Sequence, residues 1–214
     1  MKQQVKNLLF LSLIFSWFPC IAQVQIEHAK EFGPFAGRMD SLKIITSNKN
    51  ITIIPSGDVK GEVSGKKVSF SIPLSDSTYY VAWLEWAETD SMHILFYEES
   101  ISTHGSARFI ILDKRNFRQV AEENLKTFNF GEPFFKEDFM YLTGTGFVGK
   151  YNLQTKKYSW SYSDLYDRSK SAFNIINQPK FSNGRVLFTS KRHSGIIDSL
   201  IINNKNGNIL EKTN

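Results

Sequence analysis

The stretch Asn152-Leu-Gln-Thr-Lys-Lys-Tyr-Ser-Trp160 carries the most structural information in the chain. Asn opens a turn by bonding its own backbone, and the apolar run Phe147–Tyr151 before it reads as a strand. Tyr158 and Trp160 then begin a second strand on the far side of the turn. The same arrangement recurs at Asp113-Lys-Arg-Asn-Phe-Arg-Gln-Val120 and at Asn203-Asn-Lys-Asn-Gly-Asn-Ile-Leu210. Glycine or asparagine is expected at the left-handed position that closes such a turn. Pro55-Ser-Gly-Asp-Val-Lys60 is a looser fourth match.

Strand-like runs lie on both sides of these turns. They are Leu42–Ser47, Ile51–Pro55, Val68–Leu74, Tyr79–Trp86, Ile94–Tyr97, Arg108–Leu112, Phe139–Thr143, Phe147–Asn152, Lys157–Tyr162, Val186–Ser190 and Ile196–Ile202. Polar and glycine-bearing clusters separate them. Helical periodicity is poor, and only Phe117–Leu125 offers a weak helical pattern. Glu31–Ser47, Phe130–Gly144 and Asn177–Ser190 resemble one another: a proline and a phenylalanine, a polar turn, then a strand ending near Thr or Ser. Trp83–Tyr97 is a fourth copy without the proline. The strand cores Ile44, Ile94, Met140 and Leu187 lie 50, 46 and 47 residues apart. Four modules of about 47 residues predict an all-β fold of repeated antiparallel units, β-propeller-like, with a β-sandwich or barrel as the alternative.

A strand followed by D/N-x-x-T-G-K-x-x-W resembles the blade repeat of the quinoprotein-like (PQQ-type) β-propellers. Asn152, Thr155, Lys157 and Trp160 carry the match, with Asn203 and Gly207 in the last module; Lys156 stands where the family has glycine. The resemblance implies a propeller scaffold. The family's dehydrogenases share adjacent cysteines and calcium-ligating acids near the quinone. This chain has one cysteine and no D-x-[DN]-x-[DN]-G loop, so no cofactor is expected. Structural members of the family, such as outer-membrane assembly scaffolds, bind none, and the resemblance points to them.

The N-terminus predicts export. Lys2 and Lys6 precede the apolar run Leu8–Phe18, and Pro19-Cys20-Ile21-Ala22 places small residues for cleavage after Ala22. Eleven helical residues rise only about 16 Å, too short for a hydrocarbon core of about 30 Å. Residues 1–22 are therefore read as a signal peptide and 23–214 as one β-propeller-like domain, periplasmic, outer-membrane-associated or secreted. Cys20 leaves a lipid anchor as a lesser alternative, since Pro19 stands where a lipobox has a small residue. No later run is long enough to span a membrane.

The formal charge of +5 falls to +3 once Lys2 and Lys6 leave with the signal. The remaining basic residues are dispersed, which argues against nucleic acid as a partner. His28, His93, His104 and His193 have no metal-ligand spacing, so no metal is expected. No G-x-S-x-G elbow occurs, and the Gly144-Thr-Gly146 pair has no following helix to hold a phosphate. Candidate binding residues are Trp83 and Trp86, three apart and so on opposite strand faces, with His104 and His193 in comparable turns. The nearby acids Glu85, Glu88 and Asp90, and Glu98 and Glu99, keep a glycan-binding or glycan-cleaving alternative in view. The leading expectation is a non-enzymatic scaffold that contacts a protein or glycan partner. Four triplets, Asp40-Ser-Leu42, Asp76-Ser-Thr78, Asp90-Ser-Met92 and Asp198-Ser-Leu200, resemble the O-glycosylation sequon of certain Gram-negative bacteria; Asp-Ser is also ordinary turn chemistry.

Overall fold

The computed structural model of the protein describes residues 24–32, 41–101, 104–127, 129–169, 172–173, 177–192 and 194–213. Residues 1–22, read from sequence as a signal peptide and including Cys20, and His193 lie outside the described residues. The described chain contains eighteen strands and no helix. Its first ten strands are β1 (Gln25–His28), β2 (Lys30–Phe32), β3 (Ser41–Ile45), β4 (Lys49–Ile53), β5 (Asp58–Val63), β6 (Lys66–Ser71), β7 (Tyr80–Glu88), β8 (Met92–Ile101), β9 (His104–Asp113) and β10 (Gln119–Asn124). The remainder are β11 (Phe134–Lys136), β12 (Phe139–Gly144), β13 (Phe147–Asn152), β14 (Lys157–Tyr162), β15 (Lys180–Ser182), β16 (Arg185–Lys191), β17 (Ile197–Asn203) and β18 (Ile209–Thr213).

They form four antiparallel sheets, each built on a four-strand meander. Sheet I has the order β2-β3-β4-β5-β6, sheet II β1-β7-β8-β9-β10, sheet III β11-β12-β13-β14 and sheet IV β15-β16-β17-β18. The N-terminal strands β1 and β2 extend sheets II and I at their leading edges. The weak helical pattern at Phe117–Leu125 resolves as β10, whose residues pair with β9 from Gln119↔Leu112 to Asn124↔Arg108.

Alternation along the strands stacks the sheets face to face. Leu95 and Tyr97 of β8 point into a core shared with Leu42, Ile44, Ile51, Ile53 and Val59 of sheet I. Ile94 and Phe96, on the opposite face, join Met140, Leu142, Phe147 and Tyr151 of sheet III. Tyr141, Val148 and Trp160 then meet Val186, Phe188, Leu200 and Ile202 of sheet IV. A strand covered on both faces loses the apolar–polar alternation of a one-sided strand; β13, Phe-Val-Gly-Lys-Tyr-Asn, is buried through Tyr151. Each core joins consecutive sheets only, and among the described residues none joins sheet IV to sheet I. Among the described residues the architecture is a propeller-like stack that does not close into a ring.

Position in the meander corrects the alignment of the first module. Ile94, Met140 and Leu187 lie on second strands, β8, β12 and β16, whereas Ile44 lies on β3, a first strand. The equivalent strand of sheet I is β4. Pro55–Lys60 is correspondingly the β4–β5 connection, and the counterpart of the Asn152 turn is Ser64-Gly65. Its φ angles of 49° and 77° are those of a tight two-residue hairpin.

The other three turns share one chemistry. The side-chain oxygen of Asp113 accepts from Arg115 N, that of Asn152 from Gln154 N and Thr155 N, and that of Asn203 from Lys205 N and Asn206 N. Each turn closes through the amide of the fifth residue, Phe117, Lys156 or Gly207, donating to the carbonyl of the first. All three take left-handed φ, 58°, 55° and 80°, so a phenylalanine and a lysine stand where glycine was expected. Each outgoing strand then carries a bulge at the same place in its pairing.

The repeat tryptophan explains how one sheet seats on the next. Trp160 on β14 packs edge-on against Tyr141 of its own sheet and Phe188 of sheet IV. Its Nε1–H reaches the carbonyl of Asn204 at 3.4 Å, and Lys150 Nζ donates to the same oxygen at 3.0 Å. Tyr141 donates to Asn204 Oδ1 at 2.8 Å, and Tyr162 to the Gly207 carbonyl at 2.6 Å. The Asn203–Gly207 turn is thus a socket for sheet III.

Candidate functional site

Among the described residues, Trp83, Trp86 and His104 are not brought together, and His193 lies outside them. Trp83 and Trp86 do lie on opposite faces of β7, as their spacing requires. Trp86 points toward sheet I and is 0% exposed. Trp83 is half-buried toward sheet III, its ring 6.1 Å from Phe130. Both faces of sheet II are covered, so Trp86 has no surface to offer a ligand. His104 opens β9, at the far end of the sheet from His93. The acids divide likewise: Glu85 shares the Trp83 face and Glu88 the Trp86 face, so they are not a carboxylate pair across one cleft.

The Trp86 face holds a buried ionic network between sheets I and II. Lys49 Nζ lies 2.9 Å from both Glu27 and Glu88, and Lys114 Nζ lies 2.5 Å from Glu88. Lys49 has a side-chain exposure of only 3%. Burial pushes the Glu88 carboxyl up, but hydrogen bonds from Lys114 and Lys49 outweigh it and hold it below the usual carboxylate range. Beside it, the Trp86 indole N–H donates to His93 Nδ1 at 3.2 Å, and the imidazole stacks on Phe117 at 4.9 Å. Burial lowers the His93 pKa to about 4; Glu88 opposes the shift, while Lys114 and Lys49 reinforce it. The two lysines and two carboxylates balance, and the groups act on one another rather than on solvent.

This arrangement has a pH signature. His93 titrates near 6.5 in the unfolded chain and near 4 in the folded one, so the unfolded state binds the extra proton between those values. Stability is full above about pH 6.5 and falls as pH drops toward 4, by on the order of 2 kcal/mol from this group. His93→Gln keeps an acceptor for Trp86 and cannot titrate. Urea unfolding between pH 7 and 4 is expected to show a flatter pH dependence for this variant; parallel curves would exclude His93 as the source.

A second polar group lies along the leading edges of sheets II, III and IV, and it is open to solvent. His28, at the end of β1, has its Nδ1 2.6 Å from Glu85 Oε1; the His28 side chain is 61% exposed and that of Glu85 only 5%. Burial raises the Glu85 carboxyl; His28 opposes the shift, and the neighbouring Glu132 carboxylate adds to it. Among the described residues the buried Glu85 Oε2 has no hydrogen-bond partner. Glu132 accepts from Gln178 Nε2 at 3.3 Å. Glu132 and Gln178 directly precede the buried Pro133 and Pro179, just ahead of β11 and β15. The repeated x-Pro position therefore aligns polar side chains of successive sheets. The signal in the sequence is the polar residue before the proline in two of the three proline-bearing copies, Glu132 and Gln178.

The group can donate and accept hydrogen bonds across three sheets. Among the described residues no hydroxyl or thiol is hydrogen-bonded to His28. Among the described residues no group of three or more His, Cys, Asp or Glu could hold a metal ion, and no helix is long and apolar enough to cross a membrane.

No family model matches the chain. No curated protein matches it. Among solved structures the chain is similar to BamB from Moraxella catarrhalis, at 13% identity over 85% of this chain and 54% of that one, with a TM-score of 0.45. The chain thus spans about half the length of that structure.

Proposed function

We propose that the protein is an exported, non-enzymatic interaction protein of the bacterial envelope, in which the stacked sheets are scaffold and the leading-edge row His28, Glu85, Glu132 and Gln178 contacts a partner. The observation that carries this reading is a division of labour among the polar groups. The Lys49 network pairs its charges between sheets I and II, whereas His28, Glu132 and Gln178 are solvent-exposed along the leading edges of three successive sheets. Export rests on the three-part N-terminus. A protein partner suits a solvent-exposed row of hydrogen-bonding groups along the sheet edges.

The test is fractionation followed by site-specific photo-crosslinking in cells. The chain is expected outside the cytoplasm, beginning at Gln23. A crosslinker at Glu132 or Gln178 is expected to give a discrete protein adduct, and one at Lys67 on sheet I none. Cytoplasmic residence with Met1 intact would overturn export. Turnover of a glycan, lost in Glu85→Gln, would overturn the non-enzymatic reading.

A further inference from the structure

We propose that Ser77 and Ser91 are sites of O-linked glycosylation in the exported protein, an inference that rests on the export reading above. Four Asp-Ser-x triplets occur in the sequence, and the fold separates them. Asp198 is fully buried, held by Arg192 Nε at 2.8 Å and by the Phe173 amide at 3.1 Å. The adjacent Ser199 shares its hydroxyl with Thr213 Oγ1 at 2.6 Å in the β17–β18 pairing. Ser41 is half-buried in β3, and Asp40 lies outside the described residues.

The other two triplets are on exposed turns. Asp76, Ser77 and Thr78 are all exposed between β6 and β7. Asp76 Oδ1 accepts from Thr78 N at 2.7 Å and from Thr78 Oγ1 at 2.5 Å, which folds the turn and leaves Ser77 at its outer side. Asp90 and Ser91 are exposed at the tip of the β7–β8 turn. That turn is closed by Thr89 N donating to the Met92 carbonyl at 2.9 Å and by Met92 N donating to Thr89 Oγ1 at 3.0 Å. Only the backbone of Ser91 is engaged, its carbonyl accepting from Lys114 N at 3.0 Å. Among the described residues no hydrogen bond holds either serine hydroxyl.

A transferase that acts on the folded protein must reach the aspartate and the serine hydroxyl together, and solvent offers that pair at these two turns. The serine Oγ attacks the anomeric carbon of a lipid-linked glycosyl diphosphate. The bond from that carbon to the diphosphate oxygen breaks, the lipid diphosphate departs, and the serine proton goes to the transferase's base. The turns flank the nine-residue β7, so the two glycans stand about 30 Å apart.

The experiment expresses the full chain with its own N-terminus in a Gram-negative host that glycosylates such triplets, then measures the intact mass of the exported protein. Two glycan increments above the bare polypeptide are expected. Ser77→Ala and Ser91→Ala are each expected to lose one, the double variant both, and Ser199→Ala none. Asp90→Asn, which leaves the hydroxyl in place, is expected to lose the Ser91 increment. An exported, cleaved chain of bare mass overturns the proposal while leaving export intact, as do increments that survive in the double variant. A chain retained in the cytoplasm with Met1 in place overturns both.

Discussion

Trp160→Ala is expected to lower the unfolding free energy by about 3–5 kcal/mol, the range for removing a large aromatic from a packed core. The indole contacts both sides of the sheet III–IV interface, so its loss opens a void between two sheets rather than within one. Gly207→Ala attacks the same contact from the opposite side. A Cβ on Gly207 would stand 2.5 Å from Trp160 Cβ, and the residue holds φ +80°. Two penalties act at once, steric overlap and a backbone conformation that side chains resist. Lys156→Gly separates them: φ there is 55°, so the substitution relieves backbone strain and is expected to be neutral or slightly stabilising. Denaturant titration of the three variants checks the scheme. A Trp160→Ala cost below about 1 kcal/mol would remove the tryptophan from its role as the seat between sheets.

Lys49→Met is the second large effect. It deletes the cation that faces Glu27 and Glu88 while leaving both carboxylates in place. Stranding buried charge in this way costs about 3–5 kcal/mol. Among the described residues Glu27 has no other cationic partner, whereas Glu88 retains Lys114. Lys49→Met combined with Glu27→Gln is therefore expected to recover much of the loss. The single-variant penalty should also shrink in acid, as the stranded carboxylates take up protons. Urea melts of the parent, single and double variants at pH 7 and pH 4 provide the check. A single variant as stable as the parent would show that the network contributes nothing net.

Eleven of the eighteen described strands and the three Asx-opened turns are legible because apolar runs and Asp or Asn turn openers are local signals; β5, β10, β11, β15 and β18 are not, being short or rich in polar residues. Ile44 was matched to the wrong strand of its module because alternation is the same on any strand, and only the meander order distinguishes β3 from β4. The leading strands β1 and β2 were missed for a different reason. β1 pairs with β7 far along the chain, and β2 is only three residues long beside nearby β3, so nothing within Gln25–Phe32 states either partnership. Phe117 and Lys156 show that turn geometry can be imposed by hydrogen bonding against residue preference. The opposite orientation of Trp83 and Trp86 followed from spacing alone. Whether either reached solvent did not, because it depends on sheets I and III covering both faces of β7. His28 and Glu85 meet only because β1 pairs with β7, so that contact had no local signal.

The open stack also shapes how the molecule comes apart. Three cores in series connect sheet I to II, II to III and III to IV, so stability is passed between neighbours as in a one-dimensional array. Sheets II and III are clamped from both sides, while sheet IV is held on one face and ends in β18, whose five residues are all exposed. Opening is therefore expected to begin at the terminal sheets I and IV, each held by a single core. At the C-terminal end the tryptophan-filled turn is the latch that sets how often sheet IV lifts from sheet III.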